Sequence, residues 1–180
     1  MPIDTDQGQP DRRVQRHESR TSATFRDFLR EVMAAIDVDD EIVATNTAAT
    51  VLCLLSQRLI GEEARDLHAQ LPQKVREILT QCRVHEGSQE KFGRAEMVSS
   101  VAQDLGLPLD AAEARIRAVF KVVAAHVSEG EVKQVIHGLP RRMRDLWPVE
   151  LVAAVDREDE LATLRAQRGS QAEQSDKPRP

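Results

Sequence analysis

The sequence predicts an all-α protein: two tandem, pseudo-repeated four-helix units in one helical bundle, followed by a C-terminal fifth helix. Three observations lead to this prediction. Apolar residues recur at the spacings of three and four that mark amphipathic helices. Aromatic residues make up 3% of the 180 residues, with no Tyr, whereas strands favour aromatic side chains. The apolar pattern of the first half also returns in the second.

The repeat is clearest at an offset of 68 residues. The first helices of the two halves align with one residue of difference: Phe28, Leu29, Val32 and Ile36 match Met97, Val98, Val101 and Leu105. The first half therefore has one extra residue in the loop that holds Asp39 and Asp40. At the offset of 68 the matched pairs are Val51 and Val119, Leu52 and Phe120, Leu55 and Val123, Leu59 and Val127, Glu63 and Glu131, Leu71-Pro72 and Leu139-Pro140, Arg76 and Arg144, and Ile78 and Leu146.

Each half reads as four helices. In the first half, an apolar stripe from Phe25 to Ile36 predicts the first helix, with Thr21 and Ser22 as caps. A long and largely buried second helix is expected over 40–58, and a short third over 62–69. Pro72 is expected to begin the fourth helix. Proline has no amide hydrogen, and in the first turn of a helix this hydrogen would have no helical partner.

The second half repeats this order. Its first helix is expected over 94–104 and ends at Gly106, a typical left-handed cap. Pro108 opens the second helix. The third begins with Ser128-Glu129-Gly130-Glu131, which has the capping-box spacing. Pro140 opens the fourth helix, which ends near Trp147, and Pro148 starts the C-terminal helix.

The composition along the chain predicts six segments. Polar, proline-containing ends are typical of disorder, and a polar stretch with glycines is typical of a linker. The segments are a disordered N-terminal segment 1–20, a first helical repeat 21–80, a linker 81–93, a second helical repeat 94–147, a C-terminal helix 148–167 and a disordered tail 168–180.

Charge and cysteine content favour a cytoplasmic protein without membrane contact. The net charge is −5, which gives no general attraction to nucleic acid or anionic lipid. No stretch approaches the roughly 20 apolar residues of a membrane span. The two cysteines, Cys53 and Cys82, form no disulfide pattern, and the start lacks the apolar run of a signal peptide.

The motifs resemble a bacterial family catalogued as "domain of unknown function 2267". The resemblance covers about residues 22–147. It implies a helical, two-repeat bacterial protein and no assigned activity. The segments that carry it are Phe28-Leu29-Arg30-Glu31-Val32, Ser128-Glu129-Gly130-Glu131-Val132, Leu71-Pro72 and Leu139-Pro140-Arg141-Arg142-Met143-Arg144-Asp145-Leu146. At the first third-helix start, Ile60-Gly61-Glu62-Glu63 departs from the serine-capped form.

No motif predicts catalysis, a metal or a cofactor. Cys82 and His85 have half of a zinc-site spacing, but a structural zinc needs four ligands. There is no nucleophile elbow and no phosphate-binding glycine loop. The carboxylates of 37–41 lack the glycine and final glutamate of a calcium loop. Those of Asp156, Glu158, Asp159 and Glu160 are expected to form a solvated face. The prediction is a non-enzyme with no cofactor.

Five cations form a possible patch for an anionic partner. Both fourth helices carry basic residues near their starts, where the helix dipole disfavours them. A nucleic-acid-associated factor is therefore the alternative function, although the acidic balance and scarce aromatics oppose it. The five are Lys74, Arg76, Arg141, Arg142 and Arg144.

The C-terminal helix is the main functional lead. Leu151, Val155, Leu161 and Leu164 are interpreted either as a cap on the repeat core or as a stripe for a partner helix. The leading hypothesis is a non-enzymatic interaction or adaptor protein that binds another protein or self-associates. A third hypothesis is a small-molecule-binding or catalytic protein with a pocket between the two repeats.

Overall fold

The computed structural model describes residues 12–59, 62–81 and 92–175, with side chains from residue 24 to residue 168 of these ranges. The described chain is helical apart from short turns and contains no strand, which confirms the all-α prediction. Its helices are α1 (Arg12–Ala35), α2 (Glu41–Arg58), α3 (Glu62–Gln70), α4 (Gln73–Gln81), α5 (Arg94–Leu105), α6 (Leu109–His126), α7 (Glu129–Gly138), α8 (Arg141–Arg144) and α9 (Val149–Ser175).

The outer boundaries differ from the prediction. α1 begins at Arg12, inside the segment expected to be disordered, so Thr21 and Ser22 lie within the helix and do not cap it. The stretch after Pro10 holds no proline or glycine that would stop a helix. α9 continues to Ser175, past the predicted end at residue 167. Residues 1–11, most of the predicted linker and 176–180 lie outside the described residues.

Several helix ends confirm the sequence signals. Asp40 caps α2, because its Oδ1 accepts hydrogen bonds from the amides of Ile42 (2.7 Å) and Val43 (3.3 Å). Gly106 ends α5 in the left-handed conformation, with φ 64°. Asp37 occupies the matching place after α1 with φ 54°. The turn that follows α5 thus uses a glycine, and the turn that follows α1 uses an aspartate, which tolerates the same left-handed conformation.

The expected capping box at α7 forms only in part. The Ser128 hydroxyl accepts from the amide of Glu131 at 3.4 Å, as predicted. The reciprocal bond from the Glu131 carboxylate is absent among the described residues, since the Ser128 amide donates to Gln70 Oε1 of α3 instead (2.8 Å). Packing between α3 and α7 brings Gln70 into that position, so a tertiary contact replaces the local one.

The two halves form one hydrophobic core. α2 and α6 pack against each other, and each also packs against the first helix of the other half. Across this contact Arg115 donates to the buried hydroxyl of Thr47 at 3.0 Å. These two residues are 68 apart, the offset that aligns the halves. Contact between matched positions is what an approximate twofold axis between two similar halves produces.

The fourth helices differ in length. α4 continues to Gln81, whereas α8 ends at Arg144 and the chain turns through Leu146 and Trp147. Pro148 cannot continue a helix, so α9 starts in a new direction after it. Trp147 is buried and stacks on Phe120 with ring centroids 4.4 Å apart. This stack fixes the point from which α9 leaves the bundle.

Candidate interaction surface

The first part of α9 belongs to the bundle. It packs against α7, with Val155 buried in the core and Leu151 and Val152 partly buried against it. This arrangement matches the interpretation of the helix as a cap on the core. It accounts for only the first third of a helix of 27 residues.

Ion pairs hold this part of α9 in place. Arg144 Nη1 lies 2.9 Å from Asp159 Oδ2 and 3.5 Å from Asp156 Oδ1. The same guanidinium donates from Nε to the carbonyl of Leu139 and from Nη2 to that of His137, at the end of α7. With 13% of its side chain exposed, Arg144 joins α7, α8 and α9.

Two further contacts extend this connection. Lys133 Nζ lies 2.9 Å from Glu158 of α9 and 3.0 Å from Glu129 of α7, and these hydrogen bonds raise the pKa of Lys133. His137 Nδ1 is 2.8 Å from Asp159. The hydrogen bond from Arg144 is the main influence that lowers the pKa of the Asp159 carboxyl. The acidic run was expected to be a solvated face; its side chains remain partly or fully exposed, and three of the four also form ion pairs with α7 and α8.

The distal part of α9 is exposed. Leu161 retains 52% of its accessible surface and Leu164 retains 46%, and every described side chain from 161 to 168 is exposed. We name residues 160–168 the distal helix. Here a continuous helix extends beyond the part that packs on α7, with two large apolar side chains in solvent.

The four residues of the predicted stripe therefore do not share one face. Between Val155 and Leu161 an α-helix turns by about 240°, at roughly 100° per residue. Val155 points into the core while Leu161 faces solvent. Leu151 lies on the same face of the helix as Val155, and Leu164 lies on the same face as Leu161. The structure thus divides the stripe into a core contact and an unpartnered pair of leucines.

The five cations of the predicted patch have different surroundings. Lys74 of α4 lies over the ring of Phe25, 5.7 Å from its centroid, and Arg76 is half-buried on the same helix. Arg141 and Arg142 are exposed on α8, with no ion-pair partner among the described residues. Arg144 is occupied by the contacts to α7 and α9.

A cleft of about 780 Å³ opens where α5, α6 and α8 meet. Apolar side chains within it are Val98 and Leu109, and Leu109 is 61% exposed. Arg141 and Arg142 line its α8 side. We name this depression the α5–α6–α8 cleft.

A charged network borders the cleft. Glu113 Oε1 accepts from Arg94 at 2.6 Å and from Arg117 at 2.8 Å, and these bonds lower the pKa of the Glu113 carboxyl. Arg117 also donates to the carbonyl of Asp145, next to the turn that precedes α9. The sequence analysis missed these residues, because neither helical periodicity nor a known motif singles them out.

The matching corner of the first half is built from different residues. There Phe25 and Lys74 occupy the positions that match Arg94 and Arg142, and α4 packs directly against α1. In the second half α8 is short, and the residue at the Phe25 position is Arg94, which turns to Glu113. Comparing the two halves at this position would have been the sequence signal for the cleft.

Two titratable groups outside the cleft have shifted pKa values. Glu131 is 8% exposed, and its Oε1 has no hydrogen-bond partner among the described residues. Burial, and then the charges of Asp66 and Glu63, raise the pKa of its carboxyl. His68 lies 2.6 Å from the Ser56 hydroxyl, and burial lowers its pKa.

The zinc half-site and the pocket between the repeats were the remaining hypotheses from the sequence. Cys82 and His85 lie outside the described residues, and within those residues no three His, Cys, Asp or Glu side chains group as a metal site. Cys53 is half-buried. Two smaller clefts, of about 590 and 490 Å³, lie beside Trp147 and between α8 and α9. Like the α5–α6–α8 cleft, both fall within residues 93–163 and not between the halves.

No helix in the described ranges is long and apolar enough to cross a lipid bilayer. The sequence model of a family described as "uncharacterized conserved protein (DUF2267)" matches residues 25–146, more than half of the chain. No curated protein matches the chain. The match ends before α9, so the distal helix lies outside the matched region.

Proposed function

Because the chain belongs to the DUF2267 family, whose description assigns no activity, we propose from its own geometry that it is a non-enzymatic interaction protein. It binds another protein chain by pairing with the distal helix of α9. The observation that carries this proposal is the exposure of Leu161 and Leu164 on a helix whose base is fixed to the bundle.

The energetics of helices support this proposal. Isolated helices shorter than about 12–15 residues are marginal in water, because packing and not propensity supplies most of their stability. The side chains of the distal helix are exposed, so contact with a partner would stabilise it. Leu161 and Leu164 are three residues apart and lie on one face, as the anchors of a paired helix do.

The fixed base of α9 supports recognition as well. Arg144, Lys133 and the core contact of Val155 define the direction in which the distal helix points. A helix held in its binding orientation loses less orientational freedom when a partner binds. The bundle thus presents the leucines in a defined place.

The nucleic-acid alternative has weaker support. Of the five cations proposed for it, Arg144 is engaged by carboxylates and carbonyls, and Lys74 and Arg76 stand on a different helix from Arg141 and Arg142. Binding by the remaining pair would be weak and salt-sensitive. Loss of nucleic-acid binding on changing Arg141 and Arg142 to Gln would favour this alternative.

We include three finer features in the proposal: a tandem duplication, a bacterial source and a cytoplasmic location. The duplication is supported by contacts between matched positions. Thr47 meets Arg115, and α3 packs on α7 so that Glu63 lies against Gly138 while Glu131 lies by Gln70. In these pairs Glu63 matches Glu131 and Gln70 matches Gly138, as an approximate twofold axis requires.

Affinity capture from the host tests the proposed function. The tagged chain and its Leu161→Ser/Leu164→Ser variant are incubated with nuclease-treated lysate, and bound proteins are compared by mass spectrometry. Ile42→Ser is the matched control, since Ile42 is an exposed apolar residue (71%) on α2.

We expect at least one protein partner to be lost with the leucine variant and retained with the control, and an untagged copy of the chain, recognised by its intact mass, counts as such a partner. Circular dichroism should show that both variants are folded, because exposed positions contribute little to the fold of the subunit. A set of bound proteins that does not change when both leucines are replaced would contradict the proposal.

A further inference from the structure

We propose that the partner is a second copy of this chain, and that the distal helix of each copy docks in the α5–α6–α8 cleft of the other. This inference rests on the proposed function and deepens it by naming both the partner and its receptor surface. It follows from three features: both surfaces expose large apolar side chains, the two surfaces carry opposite charges, and helix and cleft lie next to each other on one copy.

Both surfaces expose large apolar side chains to solvent. The distal helix exposes Leu161 and Leu164, while the cleft exposes Leu109 above Val98. Large apolar side chains that are left in solvent on both surfaces gain free energy when they cover each other, at about 25 cal/mol per Å² of apolar surface. The cleft is open and concave, so it accepts a convex helix face.

The two surfaces carry opposite charges. Along the distal helix Glu160 precedes the leucines, and Arg165 and Arg168 follow them. The cleft is lined by Arg142 of α8 and by Asp110 in the first turn of α6. In a docked complex Glu160 pairs with Arg142, and the arginines of the helix pair with Asp110.

The charged groups involved are available for these contacts. Glu160, Arg165 and Arg168 are exposed, as are Arg142 and Asp110, and none has an ion-pair partner among the described residues. By contrast, Glu158 and Asp159 are already paired with Lys133 and Arg144. Opposite charges at the edge of an interface set its register and its partner more than its affinity.

Helix and cleft lie next to each other on one copy. Arg141 lines the α5–α6–α8 cleft and also the crevice between α8 and α9, which Glu160 and Thr163 line as well. A twofold axis brings the same surface of two copies together, so a helix that lies beside its own receptor cleft can meet the cleft of the other copy. Reciprocal docking forms two equivalent contacts, so the pair closes as a dimer and does not extend into a filament.

The two contacts also support each other. Once one helix has docked, the second contact forms within the same complex and at a high effective concentration. Each single contact is small, so the dimer depends on both, and a change in either surface should weaken it strongly.

Sedimentation equilibrium of the purified full chain tests this inference. The native chain should sediment as a dimer of a 20.1-kDa subunit. Leu164→Ser on the helix and Leu109→Ser in the cleft should each raise the dimer dissociation constant at least tenfold. Ile42→Ser is the control and should leave it unchanged. All three positions are exposed, and circular dichroism verifies that each variant is folded.

A charge exchange tests the register. Glu160→Arg and Arg142→Glu should each weaken the dimer, and the two changes in one chain should restore it at least in part. A native chain that is monomeric, a dimer insensitive to Leu109→Ser, or no recovery in the double variant would each overturn the inference. Failure here is distinguishable from failure of the proposed function: a monomeric chain that still loses a host partner with Leu161→Ser/Leu164→Ser retains that function and overturns only this inference.

Discussion

Arg144→Met is expected to be among the most destabilising single substitutions of a charged residue in this protein. The guanidinium contacts the main-chain carbonyls of Leu139 and His137 and the carboxylates of Asp156 and Asp159. Methionine has a similar length and retains much of the packing, but it has no donor. The substitution therefore isolates the polar contribution of the side chain.

The magnitude follows from these contacts. A hydrogen bond from a charged donor contributes about 1.5–3 kcal/mol, and the guanidinium makes two to main-chain carbonyls. The carboxylates of Asp156 and Asp159 are 41% and 37% exposed, so each ion pair adds only about 0.2–1 kcal/mol. Water replaces part of what is lost. We expect a destabilisation of about 3 kcal/mol, or a fall in Tm of about 6–12 °C.

Urea unfolding measured by tryptophan fluorescence is the assay. Trp147 is the single tryptophan, and it is buried on Phe120 beside α8. Its emission therefore reports on the region that Arg144 connects. Arg65→Met is the control, because the Arg65 side chain on α3 is 79% exposed and lies outside both proposed contact surfaces, and it should change stability by less than about 0.5 kcal/mol. Equal unfolding midpoints for the two variants would refute the reasoning.

Three other predictions follow from buried groups and backbone conformation. Burial raises the pKa of the Glu131 carboxyl above 4.5, so the free energy of unfolding of the native protein falls as the pH rises from 4.5 through the raised pKa. In urea titrations Glu131→Gln should therefore be more stable than the native protein at about pH 7, and the difference should vanish below pH 4.5. The pKa of His68 is lowered below 6.5 by burial, so stability falls as the pH drops below 6.5; an NMR titration midpoint at or above 6.5 would contradict this. Gly106→Ala should cost about 1 kcal/mol in thermal unfolding, because φ is 64° and an added Cβ has no contact within 4 Å; no loss would show that the left-handed cap is unimportant.

Local signals predicted helix ends such as that at Gly106 because capping is a local effect. Gly106 needs only its own backbone freedom. The same reasoning was incomplete at Ser128, where Gln70, 58 residues away, supplies the acceptor that a glutamate was expected to supply. It also failed at Arg12, since the polar start of α1 carries no apolar stripe.

The candidate surface was predictable only in part. The leucines of the distal helix are apolar in the sequence, but their separation from Val155 depends on where α9 leaves α7. Arg144 was predicted as a cation for an outside partner, and it is instead the residue that joins three helices of its own chain. The α5–α6–α8 cleft joins residues that lie far apart in the sequence, such as Val98, Leu109 and Arg142, so only the packing of the three helices creates it.

By itself the sequence determined the all-helical class and the order of the helices, because periodicity and capping act within a few residues or one helix turn. Only the tertiary structure decided which charges meet, which leucines remain exposed and where a cleft opens. These features depend on contacts between residues that are far apart in the chain, such as Thr47 with Arg115 or Gln70 with Ser128. Their side chains come together only when the core has fixed the positions of the helices.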